Sequence, residues 1–134
     1  MTRYLLDTNI LSDVIRRPEG RVSEHIRRVG EAAICTSVVV AAELRYGASK
    51  LDSPRLTDRV EGVLDRIEVL PLASPADEMY GDQRARLERI GKIIGNNDLW
   101  IAAHALALQC TVVTANEREF ARIEELPLEN WLRD

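Results

Sequence analysis

The sequence predicts an α/β fold: a parallel β-sheet sandwiched by α-helices, in one domain over residues 1–134. Three observations predict it. Short apolar runs alternate with longer helical stretches, and parallel strands need such crossovers. The composition, 46% hydrophobic and 30% charged, is that of a globular chain and not a disordered one. The length of 134 residues fits one domain, for which roughly 100–200 is usual, and allows a core without staples.

The elements follow in order. Residues 3–6 read as an opening strand that ends at Asp7. Thr8 or Asn9 can cap a helix to about residue 16, which Pro18 stops. A second helix covers residues 22–29 and ends at Gly30. Residues 32–35 form the second strand. Thr36 and Ser37 then cap a helix to about residue 49, although Val38-Val39-Val40 is strand-like. Ser53-Pro54 opens a helix to about residue 65, and residues 67–70 form a third strand that Pro71 ends. Ser74-Pro75-Ala76-Asp77-Glu78 starts a helix to about residue 90, with proline at the first position and acids in the first turn. Residues 91–95 are a loop, and Asn96 or Asn97 caps a very apolar helix over 98–108. A fourth strand over 111–114, a short helix over 116–123 and a last strand over 126–131 complete the chain.

Several function classes are disfavoured. No apolar stretch approaches the roughly 20 residues of a membrane span. The first residues lack a basic leader followed by an apolar core, so a cytoplasmic protein is expected. Cys35 and Cys110 lie in or beside apolar stretches and read as buried thiols in a reducing compartment. No Cys-x-x-Cys pair supports a thiolate zinc site. The net charge of −4 is not that of a general duplex binder. Arginines supply 16 of the 18 basic residues, a bias that a GC-rich genome produces as readily as phosphate recognition does. Neither histidine has a serine or cysteine nucleophile at motif spacing; His104 reads as a core or interface residue and His25 as solvated. Gly91-Lys92-Ile93-Ile94-Gly95 lacks the Lys-Ser/Thr ending of a P-loop.

Three acids stand out. Asp7 directly follows a strand, where a turn cap and a functional carboxylate are equally good readings. Glu43 interrupts an apolar helix start, and a charge buried there needs a partner or a metal. Gly47, one turn on, reads as room for something to approach. Asp98 opens a helix too apolar to be superficial, although a carboxylate in a first turn is ordinary by itself. Asn116 adds a neutral oxygen after the fourth strand. No lysine lies near these acids in sequence to neutralise them, although Arg45 could. In open parallel sheets the ligand sits beyond the carboxyl ends of the strands, and both Asp7 and Asn116 should reach that edge. Carboxylates and an amide from distant segments suit a hard cation such as Mg²⁺, and metal-activated hydrolysis of a phosphodiester is the natural chemistry of such a cluster.

From end to end the chain resembles the PIN-domain ribonucleases, and among them the VapC-type toxins of prokaryotic toxin–antitoxin pairs. The resemblance rests on Leu5-Leu6-Asp7-Thr8-Asn9, on Ala42-Glu43-Leu44-Arg45-Tyr46-Gly47 and on Asp98-Leu99-Trp100-Ile101-Ala102-Ala103-His104-Ala105. Val113-Thr114-Ala115-Asn116-Glu117-Arg118-Glu119-Phe120 and Leu128-Glu129-Asn130-Trp131 extend it. It implies that Asp7, Glu43 and Asp98 are a catalytic acidic triad holding Mg²⁺ or Mn²⁺, with Asp7 and Asp98 as metal ligands. Asn116 matches a fourth position where many members carry aspartate. Thr8 and Thr114 match polar residues that border the site and meet substrate. The implied fold is a parallel sheet between helices, commonly a homodimer. The implied activity is RNA cleavage, restrained by a cognate antitoxin whose arm enters the acidic groove.

Other readings fit less well. A non-catalytic PIN-like module that binds RNA or a partner predicts a missing triad acid, and none is missing. A phospho-acceptor receiver needs paired acids after the first strand and a late lysine, yet no lysine lies beyond Lys92. An Asp-x-Asp phosphatase fails at Asn9.

Overall fold

The structure, a computed structural model, describes residues 2–133. Among them, five parallel strands form one sheet: β1 (Tyr4–Leu6), β2 (Ile34–Ser37), β3 (Glu68–Leu70), β4 (Thr111–Val113) and β5 (Leu128–Glu129). The helices are α1 (Thr8–Arg16), α2 (Arg21–Val29), α3 (Val38–Leu51), α4 (Pro54–Arg66), α5 (Ala76–Arg89), α6 (Asn96–Leu108) and the short α7 (Glu117–Phe120). No helix of the described residues is long and apolar enough to cross a membrane.

The strand order is β3-β2-β1-β4-β5. The chain builds outward from β1 through β2 to β3, then returns to the other side of β1 for β4 and β5. Right-handed crossovers put α1 to α4 on one face of the sheet and α5 to α7 on the other. The packing agrees: α1 contacts α2, α3 and α4, while α5 lies along α6. The central strands are covered on both faces, so their residues are buried without alternation, the polar Thr36, Ser37 and Thr111 included. Leu5, Leu6, Ile10, Leu11, Val112, Val113 and Phe120 are fully buried, each worth about 1.5–3 kcal/mol relative to exposure. Tyr80 and Trp100 stack at 3.9 Å and join α5 to α6.

The order reverses between β1 and β4, and such a switch point opens a crevice beyond the carboxyl ends of the strands. Leu6 pairs with Val113, and the Asp7 amide continues the ladder with a 2.9 Å bond to the Val113 carbonyl.

Several local readings are corrected. The second strand lies two residues later than expected, because Thr36 and Ser37 are buried and bonded: Thr36 Oγ1 donates to the Leu6 carbonyl at 2.7 Å. Residues Glu31–Ala33 form a 3₁₀ turn instead. Asp7, not Thr8 or Asn9, caps α1. Gly95 precedes α6, and neither Asn96 nor Asn97 caps it, since the Asn97 side chain reaches Glu43 instead. Pro75 is the cap of α5, one position before its first turn. The last strand shortens to two residues. His25 is not solvated: its ring packs at 4.6 Å on buried Trp131, and burial lowers its pKa. Cys35 and Cys110 are free, buried and 3.9 Å apart at sulfur.

Candidate active site

Asp7 stands at the head of the crevice. Leu6 is locked in the central strand, so the next side chain must project past its carboxyl end. Only 3% of Asp7 is exposed. One carboxylate oxygen accepts the Thr8 amide at 2.7 Å; the other accepts the Thr114 hydroxyl, also at 2.7 Å. Burial raises the Asp7 pKa, the bonds from Thr114 and Thr8 oppose this, and the Glu43 charge adds to the rise. Thr114 itself is fully buried, and its hydroxyl also accepts the Asn116 amide at 2.9 Å. It thereby couples the turn after β4 to the residue after β1.

Glu43 comes from the second turn of α3. Ser37 starts that helix by accepting the Val39 amide at 3.1 Å, and its hydroxyl also meets His104 Nδ1 of α6 at 2.8 Å. The sequence-stretch Val38-Val39-Val40 is helical here because this cap and the burial of Val40 override its strand propensity. Glu43 is half-buried. Thr8 donates its hydroxyl to Glu43 Oε1, and Asn97 Nδ2 donates to Oε2 at 3.3 Å. Arg45 does not neutralise the group: its guanidinium forks onto Glu61, with both bonds at 2.8 Å. A Cβ at Gly47 would meet open space, so no group of this chain packs against the glycine.

Asp98 lies in the first turn of α6. Its carboxyl pKa is pushed up to about 7, first by burial, then by the Asp7 charge, a hydrogen bond with Glu119 and the charges of Glu119 and Glu43. Asn116 Nδ2 donates to Asp98 at 3.1 Å and to Glu119 at 3.0 Å. The amide nitrogen thus donates between two carboxylates. Glu119 is the acid that the sequence reading missed. Its signal was present: on a short helix begun by Asn116, the residue three places on returns to the same side.

These side chains line one groove of about 440 Å³. Asp7, Thr8, Glu43, Asp98 and Asn116 form its acidic end, and Ser12 and Arg16 extend it along α1. All the expected site residues except Thr114 line it, and Thr114 lies directly behind Asp7. Among the described residues, no three carboxylate, histidine or cysteine side chains close tightly around a single point. That openness is compatible with Mg²⁺ or Mn²⁺, because Mg²⁺ keeps several waters and takes only one or two protein carboxylates. The charges that crowd Asp98 without a compensating cation add to the effect of burial on its pKa.

The PIN domain family matches residues 4–126. The chain is 39% identical to "Ribonuclease VapC2" of Rickettsia felis over 130 residues, covering 96% of this chain and 97% of that protein. It is 37% identical to "tRNA(fMet)-specific endonuclease VapC" of Shigella flexneri over 132 residues, covering 98% and 99%. Among solved structures, VapBC2 of Rickettsia felis, bound to a DNA fragment from its promoter, superposes with a TM-score of 0.89 at 38% identity. That match covers 97% of this chain and 99% of that one. The strand order, the acids gathered at its switch point and these full-length likenesses place the chain in the PIN-domain family, among the VapC ribonucleases.

Proposed function

We propose that this protein is a metal-dependent endoribonuclease, the toxin of a type II toxin–antitoxin pair, hydrolysing RNA phosphodiester bonds with Mg²⁺ or Mn²⁺. The observation that carries the reading is the groove where Asp7, Glu43 and Asp98 meet with no paired cation among them. Asp7 and Asp98 would hold the ion, which when bound supplies an activated water and neutralises phosphate charge. The chain's own residues prepare the site. Thr114 and the Thr8 amide fix both oxygens of Asp7, so that carboxylate is oriented before any ligand arrives. Thr8 and Asn97 hold Glu43. Asn116 bridges Asp98 and Glu119. The decisive test is cleavage of RNA by purified protein with Mg²⁺ or Mn²⁺ against the same reaction in chelator. Equal cleavage in both, or undiminished cleavage by Asp98→Asn, would overturn the assignment.

The reading includes a cognate antitoxin and a homodimer. The relatives' solved structures are toxin–antitoxin assemblies, such as VapBC of Salmonella typhimurium. Here a second groove of about 350 Å³ runs between α1, α2 and α4. Leu11, Val14, Ile15, Ile26 and Val63 make it apolar, and Arg27, Arg59 and Arg66 rim it. The buried Ser23 hydroxyl on its wall has no partner. The apolar stripe of α2 divides its work: Val22 is fully buried in the core, whereas Ile26 lines the groove. An antitoxin arm seated there lies just across α1 from the acidic groove, within reach of Asp7, Glu43 and Asp98.

A further inference from the structure

We propose that Arg16, assisted by Ser12, binds a phosphate of the RNA strand adjacent to the one being cleaved. The inference rests on the ribonuclease reading and adds a substrate-binding residue to it. Thr8, Ser12 and Arg16 are spaced four apart on α1 and therefore share one face of the helix. That face begins at the acidic end of the groove and runs outward along its wall. Arg16 is the one cationic residue among those that line the groove. It is exposed, and among the described residues it has no ion-pair or hydrogen-bond partner. Its neighbour Arg17 differs: Arg17 is bound to Asp13, a carboxylate only 1% exposed. The two consecutive arginines thus do different work, one compensating a buried charge and the other held free over the groove.

The position suits a nucleic-acid strand. Long side chains on a helix lean toward its N-terminus, which directs Arg16 back along the groove wall that it shares with Ser12 and Thr8. The acids and their cation take the reacting phosphate, and the strand must then pass carboxylates that repel it. A free guanidinium on the exit wall offsets that repulsion, with donors in a fork that fits phosphate oxygens. Arg16 also lies in the last turn of α1, where the helix dipole favours a cation. That effect alone would contribute to stability and leave RNA binding untouched, so the two roles separate by experiment.

The test uses Arg16→Gln and Arg16→Lys with a fluorescein-labelled single-stranded RNA. Cleavage gives kcat and KM. Anisotropy, in the cleavage-impaired Asp98→Asn background, gives the dependence of Kd on salt. Arg16→Gln is expected to raise KM about tenfold with kcat changed less than twofold, since the contact is made equally in ground and transition states. The slope of log affinity against log salt should fall by about 0.7, the value for one single-strand phosphate contact. Arg16→Lys should keep the slope and recover part of the affinity. An unchanged KM and salt slope in Arg16→Gln would overturn the proposal, including the case where only antitoxin binding weakens. Wild-type protein that binds RNA with the Arg16-dependent slope but does not cleave it would overturn the nuclease reading and leave this contact standing. Absence of both binding and cleavage would overturn both.

Discussion

The carboxylates at the switch point work against one another, and Asp98 shows the cost most clearly. In the metal-free protein its carboxyl holds a proton up to about pH 7, whereas in the unfolded chain it releases it near pH 4. Between those values the folded state binds more protons, so stability falls as pH rises from ~4 to ~7 and is flat above. Asp98→Asn should remove Asp98's share of this fall and leave the share of Asp7, whose pKa burial also raises. In chelator at pH 8 it should melt about 3–5 °C higher than wild type, the shift of ~1 kcal/mol in a domain of this size, while RNA cleavage drops at least a hundredfold. Thermal melts across pH check the first part and cleavage assays the second. Asn116 is different in kind, since its amide donates to Asp98 and Glu119. Asn116→Ala should lower activity less than Asp7→Ala. Asn116→Asp replaces a donor by a further charge, so it should melt lower in chelator yet gain more than wild type on adding Mn²⁺. If Asn116→Ala were as inactive as Asp7→Ala, the supporting role would be wrong. Asp7, Glu43 and Asp98 were legible as a set: Glu43 is a charge in apolar company, whereas Asp7 after a strand and Asp98 in a first helical turn are ordinary when taken singly. The donor role of Asn116 was not, because an amide's orientation is chosen by neighbours that only the fold supplies. Glu119 escaped notice because it sits in the charged run Glu117-Arg118-Glu119, where one more acid reads as solvated surface.

Among the elements, α3 and α6 are joined by two polar contacts, Asn97 to Glu43 and Ser37 to His104, and the second has consequences for catalysis. Ser37 is fully buried, caps α3 and bonds His104 of α6. These two helices carry Glu43 and Asp98. Ser37→Ala removes a cap and strands a buried imidazole nitrogen, which together should cost about 1–3 kcal/mol. Urea denaturation checks the loss. Activity below the unfolding range should also fall, because the two acids lose their shared reference; full activity in the folded variant would show that the helices hold register without Ser37. Helix α3 starts where Thr36-Ser37 predicted, with Ser37 as its cap, against a strand-like run. Local propensity at Val38-Val39-Val40 favours a strand, and the cap that decides the matter is one residue whose hydroxyl could as well have faced solvent. By contrast, α6 was plain, since Leu99, Ile101, Ala102, Ala103, His104 and Ala105 are all buried and no surface helix is apolar on so many sides.

At the scale of the whole molecule, α1 is the wall between two grooves of opposite character. Leu11, Val14 and Ile15 face the apolar one; Thr8, Ser12 and Arg16 face the acidic one. If the proposed antitoxin arm crosses α1 to place a cation among the carboxylates, it competes with metal. Titrating Mn²⁺ into the complex at constant ionic strength should then weaken antitoxin binding, by the reciprocity that links two ligands of one site. An affinity that does not move across the metal's own binding range would mean that inhibition acts by covering RNA elsewhere. Sedimentation equilibrium of the isolated protein should give a dimer; a monomer at micromolar concentration would remove that part of the reading. The alternation of strands and helices made the parallel sheet legible, and the acids after its strands pointed to one edge. The strand order was not legible, because nothing local in β4 says which side of β1 it will take.

That order has a consequence for how such a protein is made. β1 is the first strand to be synthesised and sits at the centre of the sheet, yet its neighbour on the site side, β4, is nearly the last. The bond that orients Asp7 comes from Thr114, 107 residues downstream. A nascent chain still on the ribosome therefore carries Asp7 and Glu43 without the residues that complete their groove, and long-range pairing of this kind forms late. Any activity of this site against RNA therefore waits until β4 and Thr114 have been made and have joined β1 and Asp7.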